Sequence, residues 1–143
     1  MNNDPIYELE LLGVFDARIP FKERIVLKAT VRVDISSFAV AAGYRTSSQT
    51  AIPMRDHFMW LGNQILEAGD WLFLYTSTGN GSVNPIPNSN NKLYIGHWQR
   101  EHTVFNSPLI VPLLFRLGGL IIEAAPNHLP DNSPLEQKTL PSR

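Results

Sequence analysis

Between residues 23 and 35 the apolar side chains fall on every second position: Ile25, Leu27, Ala29, Val31, Val33 and Ile35. A period of two places all six on one face of an extended chain and scatters them around a helix, so this stretch commits the fold to a half-buried β-strand. An earlier alternation runs from about Tyr7 to Phe15, with Tyr7, Leu9 and Leu11 on one side and Glu8 and Glu10 on the other. Ser36-Ser37 makes a corner before Phe38-Ala39-Val40, and Gly69-Asp70 ends a turn before the aromatic-rich run Trp71-Leu72-Phe73-Leu74-Tyr75. That unbroken run predicts a central strand covered on both faces. Strand signal returns over residues 93–98, and Gly118-Gly119 between residues 113–117 and 120–123 predicts a hairpin closed by a two-residue turn. Only residues 56–64 have the composition for a turn of helix. The pattern as a whole predicts an all-β fold, an antiparallel β-sandwich of about seven to nine strands.

Composition narrows the function classes. The chain has 143 residues, 43% hydrophobic and 17% charged, which fits one globular domain, placed over residues 1–125. Its 12 basic and 13 acidic residues nearly cancel, so general affinity for nucleic acid is not expected and any anionic contact needs a local patch. With no cysteine there is no disulfide, thiolate metal site or cysteine nucleophile. The N-terminus lacks the pattern of a signal peptide, and the longest apolar stretch, residues 109–117, is interrupted by Pro112 and Arg116. A cytoplasmic protein without a membrane segment is expected. Residues 76–91, rich in Ser, Thr, Gly, Asn and Pro, predict a long polar loop, and Pro126, Pro130, Pro134 and Pro141 predict a disordered tail over residues 126–143.

The order of these motifs resembles the lamin tail domain family, whose fold is an immunoglobulin-like β-sandwich. The resemblance spans about residues 23–123. It rests on Glu23-Arg24-Ile25-Val26-Leu27-Lys28, Val33-Asp34-Ile35-Ser36-Ser37-Phe38-Ala39-Val40, residues 65–75 with Gly69-Asp70-Trp71, Thr103-Val104-Phe105-Asn106-Ser107, and residues 113–122 around the paired glycines. It implies a non-catalytic interaction module or adaptor that binds a larger protein partner through a sheet face or loop. Independently of the family, Asp34 and Ser36 suit a corner where side-chain oxygens bind backbone amides, and Gly69 suits the turn before the aromatic strand.

Two groups of side chains are candidates for contact. Lys22, Arg24, Lys28 and Arg32 share the parity opposite to the apolar face of the 23–35 strand and would form a basic ladder facing an anionic partner. The same ladder also serves simply to solvate a strand, with Glu8 and Glu10 opposite it. Trp98, Tyr94 and Trp60 are the candidate aromatic contacts, Trp98 because its flanks His97, Gln99, Arg100, Glu101 and His102 are polar; Trp71, Phe73 and Tyr75 are assigned to the core. Exposed aromatics with a basic face also suit a carbohydrate- or nucleic-acid-binding module, the alternative to a protein-binding one. His57, His97, His102 and His128 show no metal-ligand spacing, no Gly-x-Ser-x-Gly elbow or phosphate loop occurs, and no catalytic residue, metal or cofactor is expected. Open sheet edges allow homodimerisation by strand addition.

Overall fold

The computed structural model describes residues 5–122. Alternating apolar residues make strands along most of this length, and the described chain is all-β. Its strands are β1 (Leu9–Phe15), β2 (Arg24–Ala29), β3 (Val33–Asp34), β4 (Phe38–Arg45), β5 (Ala51–Trp60), β6 (Ile65–Leu66), β7 (Trp71–Tyr75), β8 (Ser82–Pro85), β9 (Lys92–His97) and β10 (Ile110–Arg116). A single 3-10 turn, Ile35–Ser37, lies between β3 and β4. The strands form a five-stranded sheet in the order β1-β2-β7-β9-β8, a three-stranded sheet β10-β4-β5, and a small pair β3-β6. Ile25, Leu27, Leu72, Leu74 and Tyr94 from the large sheet meet Phe38, Val40 and Ala42 from the three-stranded sheet in one buried core, closed by Val33, Ile35, Leu66, Trp98, Val104 and Phe105. Two sheets sharing one apolar layer is the arrangement of a sandwich.

The long strand expected over residues 23–35 is divided. β2 stops at Ala29 because the Ala29 amide donates to the Asp70 carbonyl at 2.8 Å and the Ala29 carbonyl accepts from the Gly69 amide at 2.8 Å, which ties off the ladder at the turn before β7. Val31 then points outward at 39% exposure, while Val33 and Ile35 return to the core from β3 and the 3-10 turn. The period of two survives this break because the connecting turn restores the same parity. The corner itself forms as expected: Asp34 Oδ1 accepts the Ser36 amide at 3.0 Å.

Four further expectations are corrected. The sheets are not wholly antiparallel, since β7 and β9 run parallel with Trp71 beside Leu93 and Tyr75 beside His97. The chain leaves β7, descends as β8 one position further out, and returns as β9 between them, which makes the β7–β9 neighbours parallel. The supposed polar loop over residues 76–91 therefore contains an edge strand. The hairpin at Gly118-Gly119 is absent from the described part: β10 ends at Arg116, and residues 117–122 form no strand. Residues 56–60 belong to β5 rather than to a helical turn. The tail expected at 126–143, with His128 and Glu123, lies outside the described residues.

Gly69 is required where it stands. Its φ is +91°, and a Cβ there would come within 2.7 Å of Asn91 Oδ1. That Asn91 side chain is itself fixed by donating to the Ala68 carbonyl and to Asp70 Oδ1, at 2.8 and 2.9 Å. Gly69→Ala is expected to cost about 1–3 kcal/mol, combining a disfavoured backbone region with a displaced hydrogen-bonded neighbour. Thermal denaturation of the variant against the parent chain measures it; an unchanged melting temperature would show that the turn rearranges without loss.

Candidate functional site

The register of β2, β7 and β9 decides which side chains share a surface. Arg24 pairs with Tyr75, Val26 with Phe73 and Lys28 with Trp71. Along β7, Leu72 and Leu74 face the core, so Trp71, Phe73 and Tyr75 stand on the opposite, outer face of the large sheet and are only half-buried. The expectation that this strand is covered on both sides is corrected here. No second layer of the described chain lies over the sheet, and the alternate residues of β7 form an aromatic row on it.

Cations lie across this row. The Arg24 guanidinium carbon sits 5.1 Å from the Phe73 ring centre and 5.7 Å from those of Tyr75 and Phe15. It is held there by donating to Asp16 Oδ2 at 2.8 Å and to the Lys22 carbonyl at 2.9 Å. Lys28 Nζ lies 5.0 Å from the Trp71 ring centre. Each is a cation–π contact, favourable because the ring face carries negative charge density. The rings themselves meet edge to face, Trp71 with Phe73 and Phe73 with Tyr75 at 6.5 Å. Tyr75 stacks at 5.4 Å on His97, and a Cβ on Gly79 would come within 2.4 Å of that imidazole, so there is no room for a side chain there. Reciprocal bonds between Gln99 and the Gly79 backbone, at 2.7 and 3.2 Å, hold the loop in that position.

The basic ladder read from the sequence is thus reduced to two members. Arg24 and Lys28 remain together on the outer face, with Glu10 opposite Lys28 in the β1–β2 register. Lys22 precedes β2 and contributes its carbonyl to Arg24. Arg32 lies beyond the break at Ala29 and pairs with Glu67 at 2.9 Å on the surface. Glu8 also leaves the ladder, pairing with Arg116 at 2.6 Å. Burial raises the Glu8 pKa less than the Arg116 hydrogen bond and the backbone amides lower it, leaving the carboxyl below its ordinary value.

Of the candidate aromatic contacts, Trp98 and Tyr94 are corrected and Trp60 keeps its exposure. Tyr94 and Trp98 are 9% and 8% exposed and belong to the core, because their parity along β9 and its continuation is that of the inward residues. The polar flanks of Trp98 are the outward neighbours and the loop beyond it, with Arg100 lying over its ring at 5.6 Å and His57 against its edge at 6.4 Å. Trp60 at the end of β5 is 47% exposed, its Nε1 donating to the Ser36 carbonyl at 2.8 Å.

Sequence reasoning missed the two carboxylates that organise the loops around this face. Glu23 is 1% exposed and has no cation beside it; its Oε1 accepts from the Thr76 hydroxyl at 2.8 Å and the Val104 amide at 2.7 Å. Its Oε2 accepts from the Arg18 and Phe105 amides at 2.9 and 3.1 Å. Asp70, 2% exposed, accepts from the Asn91 amide group, the Lys92 backbone and the Glu67 backbone. An open hollow of about 380 Å³ beside Thr76, lined also by Phe21, Thr78, Arg100, His102 and Thr103, has no free claim on Glu23 because four donors already engage it. Among the described residues no three or more of His, Asp and Glu converge as a metal site, and no helix is long and apolar enough to cross a membrane.

Comparison of the chain with protein-family models, with curated proteins and with solved structures finds no match.

Proposed function

We propose that this chain is a non-catalytic interaction module, an immunoglobulin-like sandwich of the lamin-tail type, that binds a larger protein partner through the outer face of its five-stranded sheet. The observation carrying this reading is the composition of that face. Trp71, Phe73, Tyr75 and Arg24 occupy adjacent positions in the register, and Trp, Tyr and Arg are the side chains that most often dominate protein–protein binding energy. Rows of rings fixed by their neighbours also lose little conformational freedom on binding. With Arg24 and Lys28 among them, the face suits an acidic segment of a partner.

The alternative, a nucleic-acid- or carbohydrate-binding module, draws on the same aromatic–cationic combination. Stacking a base or sugar requires an open ring face. Here Lys28 lies over Trp71, Arg24 over Phe73 and Tyr75, and His97 against Tyr75, so those faces are engaged within the chain. That geometry favours the protein partner.

Affinity capture on the immobilised full chain tests the choice. Trp71→Ala is expected to weaken retention of the captured partner by a factor on the order of 30, the loss of about 2 kcal/mol typical of a central aromatic anchor, with the circular dichroism spectrum unchanged. Lys28→Glu should weaken it further at low salt than at high salt. Retention indifferent to both substitutions would overturn the reading, and direct binding of a single-stranded oligonucleotide that Trp71→Ala abolishes would favour the alternative.

A further inference from the structure

Where β7 and β9 end and β2 begins, all at one end of the large sheet, three connections meet around the hollow of about 380 Å³ beside Thr76. Its walls are held by bonds already made within the chain. Glu23 joins the Thr76 hydroxyl to the Val104 and Phe105 amides. The Arg100 amide donates to the Thr76 carbonyl at 2.9 Å, and the Gln99 amide to that of Ser77 at 3.1 Å. A site built this way needs little reordering to receive a ligand.

Phe21 lines the hollow and, at 73%, is the most exposed aromatic side chain among the described residues. Its φ is +65°, a region that bulky side chains rarely enter. The Lys22 and Glu23 amides, both donating to the Ile19 carbonyl at 3.1 and 3.0 Å, fix the turn that imposes it. No other ring stacks on Phe21 and no cation lies over it among the described residues. It therefore offers the open ring face that Trp71, Phe73 and Tyr75 lack.

The hydroxyls decide what the hollow accepts. Thr76 Oγ1 donates its hydrogen to Glu23 Oε1 at 2.8 Å, and Thr103 Oγ1 donates its hydrogen to Asn106 Oδ1 at 2.6 Å. A hydroxyl has one hydrogen and two lone pairs, so each of these can offer a ligand only lone pairs. They call for a ligand that donates. An ionised carboxylate or sulfate brings acceptors alone, and it would also be repelled by the Glu23 carboxylate bonded to Thr76 and by Glu101 in the lining. Arg100 has the opposite need: its guanidinium, which lies over the Trp98 ring and donates to the Asp56 carbonyl, has donors only. A ligand that meets these demands together is uncharged, carries groups that both donate and accept, and has an apolar face for a ring.

We infer that this hollow binds one ring of a neutral saccharide, with the C–H face of the sugar on Phe21 and its hydroxyls donating to Thr76 and Thr103 while accepting from Arg100. Its volume lies toward the small end of ligand pockets, about 300–1,000 Å³, which suits a single ring with the rest of a glycan in solvent. Affinity for one ring is about millimolar. The inference is independent of the partner surface proposed above.

Amide NMR of the isotope-labelled full chain, titrated with the methyl glycosides of glucose, galactose, mannose and N-acetylglucosamine to about 50 mM each, tests it. At least one glycoside is expected to shift the amides of residues 21, 76–78 and 100–103 and to leave those of Lys28 and Trp71 in place. Phe21→Ala should weaken that glycoside about tenfold, and Phe21→Trp should retain it. Phe21 is exposed, so neither substitution touches the core, and the remaining amide signals verify the fold. No shift at these residues with any of the four glycosides overturns the inference, as does a response that survives undiminished in Phe21→Ala. A stronger response to sodium sulfate or to a single-stranded oligonucleotide than to every glycoside also overturns it, making the hollow an anion site. Trp71→Ala, which tests the partner surface, should leave the glycoside response unchanged, so the two readings fail separately.

Discussion

Glu23→Ala is expected to cost about 3–5 kcal/mol, the largest effect of any single substitution considered for this chain. The substitution strands four donors, the Val104 and Phe105 amides and the Thr76 hydroxyl, all buried, and the part-buried Arg18 amide. These come from the segment before β2, the loop after β7 and the loop before β10, so one carboxylate joins three connections that have no ladder between them. A domain of this size has roughly 5–15 kcal/mol in total, so the loss is a large part of its stability. Urea unfolding followed by circular dichroism measures it, the midpoint falling with the slope unchanged. Glu23→Gln keeps one acceptor oxygen but turns an NH₂ toward two N–H donors, so it should recover only part of the loss. A variant with alanine here and a native midpoint would show that water takes over the donors and that Glu23 is not a structural centre.

Asp70→Ala is expected to cost about 2–4 kcal/mol by the same mechanism, because the Glu67 and Lys92 amides and the Asn91 side chain lose their acceptor. This residue also predicts the sign of the acid response. Burial pushes its pKa up, but the hydrogen bonds from Asn91, Glu67 and Lys92 outweigh that and hold it below the ordinary value of 3.8. A carboxyl whose folded pKa is lower than its unfolded pKa stabilises the fold above the unfolded value, and that contribution is lost as pH falls through the folded pKa. Asp34, held down by the Ser36 amide, and Asp56, held down by His57, shift in the same direction. Stability should therefore be flat above about pH 5 and fall below roughly pH 4. In Asp70→Asn the fall should be shallower; melting curves at pH 7 and pH 3 for both chains decide it, and equal acid losses would exclude Asp70 as a contributor.

The parts of the fold legible in the sequence were those set by local periodicity. Ile25, Leu27 and Ala29 lie in the core as their alternation requires, Gly69 has the positive φ its turn needs, and Asp34 caps the corner at Ser36. Trp71, Phe73 and Tyr75 were misplaced because an unbroken apolar run is the same whether the second face is covered by another layer or by cations from a neighbouring strand. The relevant neighbour is β2, more than forty residues earlier, and only its register puts Arg24 and Lys28 over those rings. Trp98 was misplaced for the converse reason: its polar flanks belong to the outward parity and the following loop, while its own parity is inward. Glu23 gave no local signal at all, since its donors lie up to 82 residues away.

The sequence by itself determined that this chain is built of strands, where several of them turn, and that its basic and acidic residues nearly cancel. Those properties follow from side-chain alternation and composition, which act within a few residues. Tertiary structure alone decided the surface that carries the functional reading, the aromatic–cationic face of the large sheet. It is assembled from strands distant in sequence, and a shift of one residue in their pairing would have turned every one of those side chains to the opposite side.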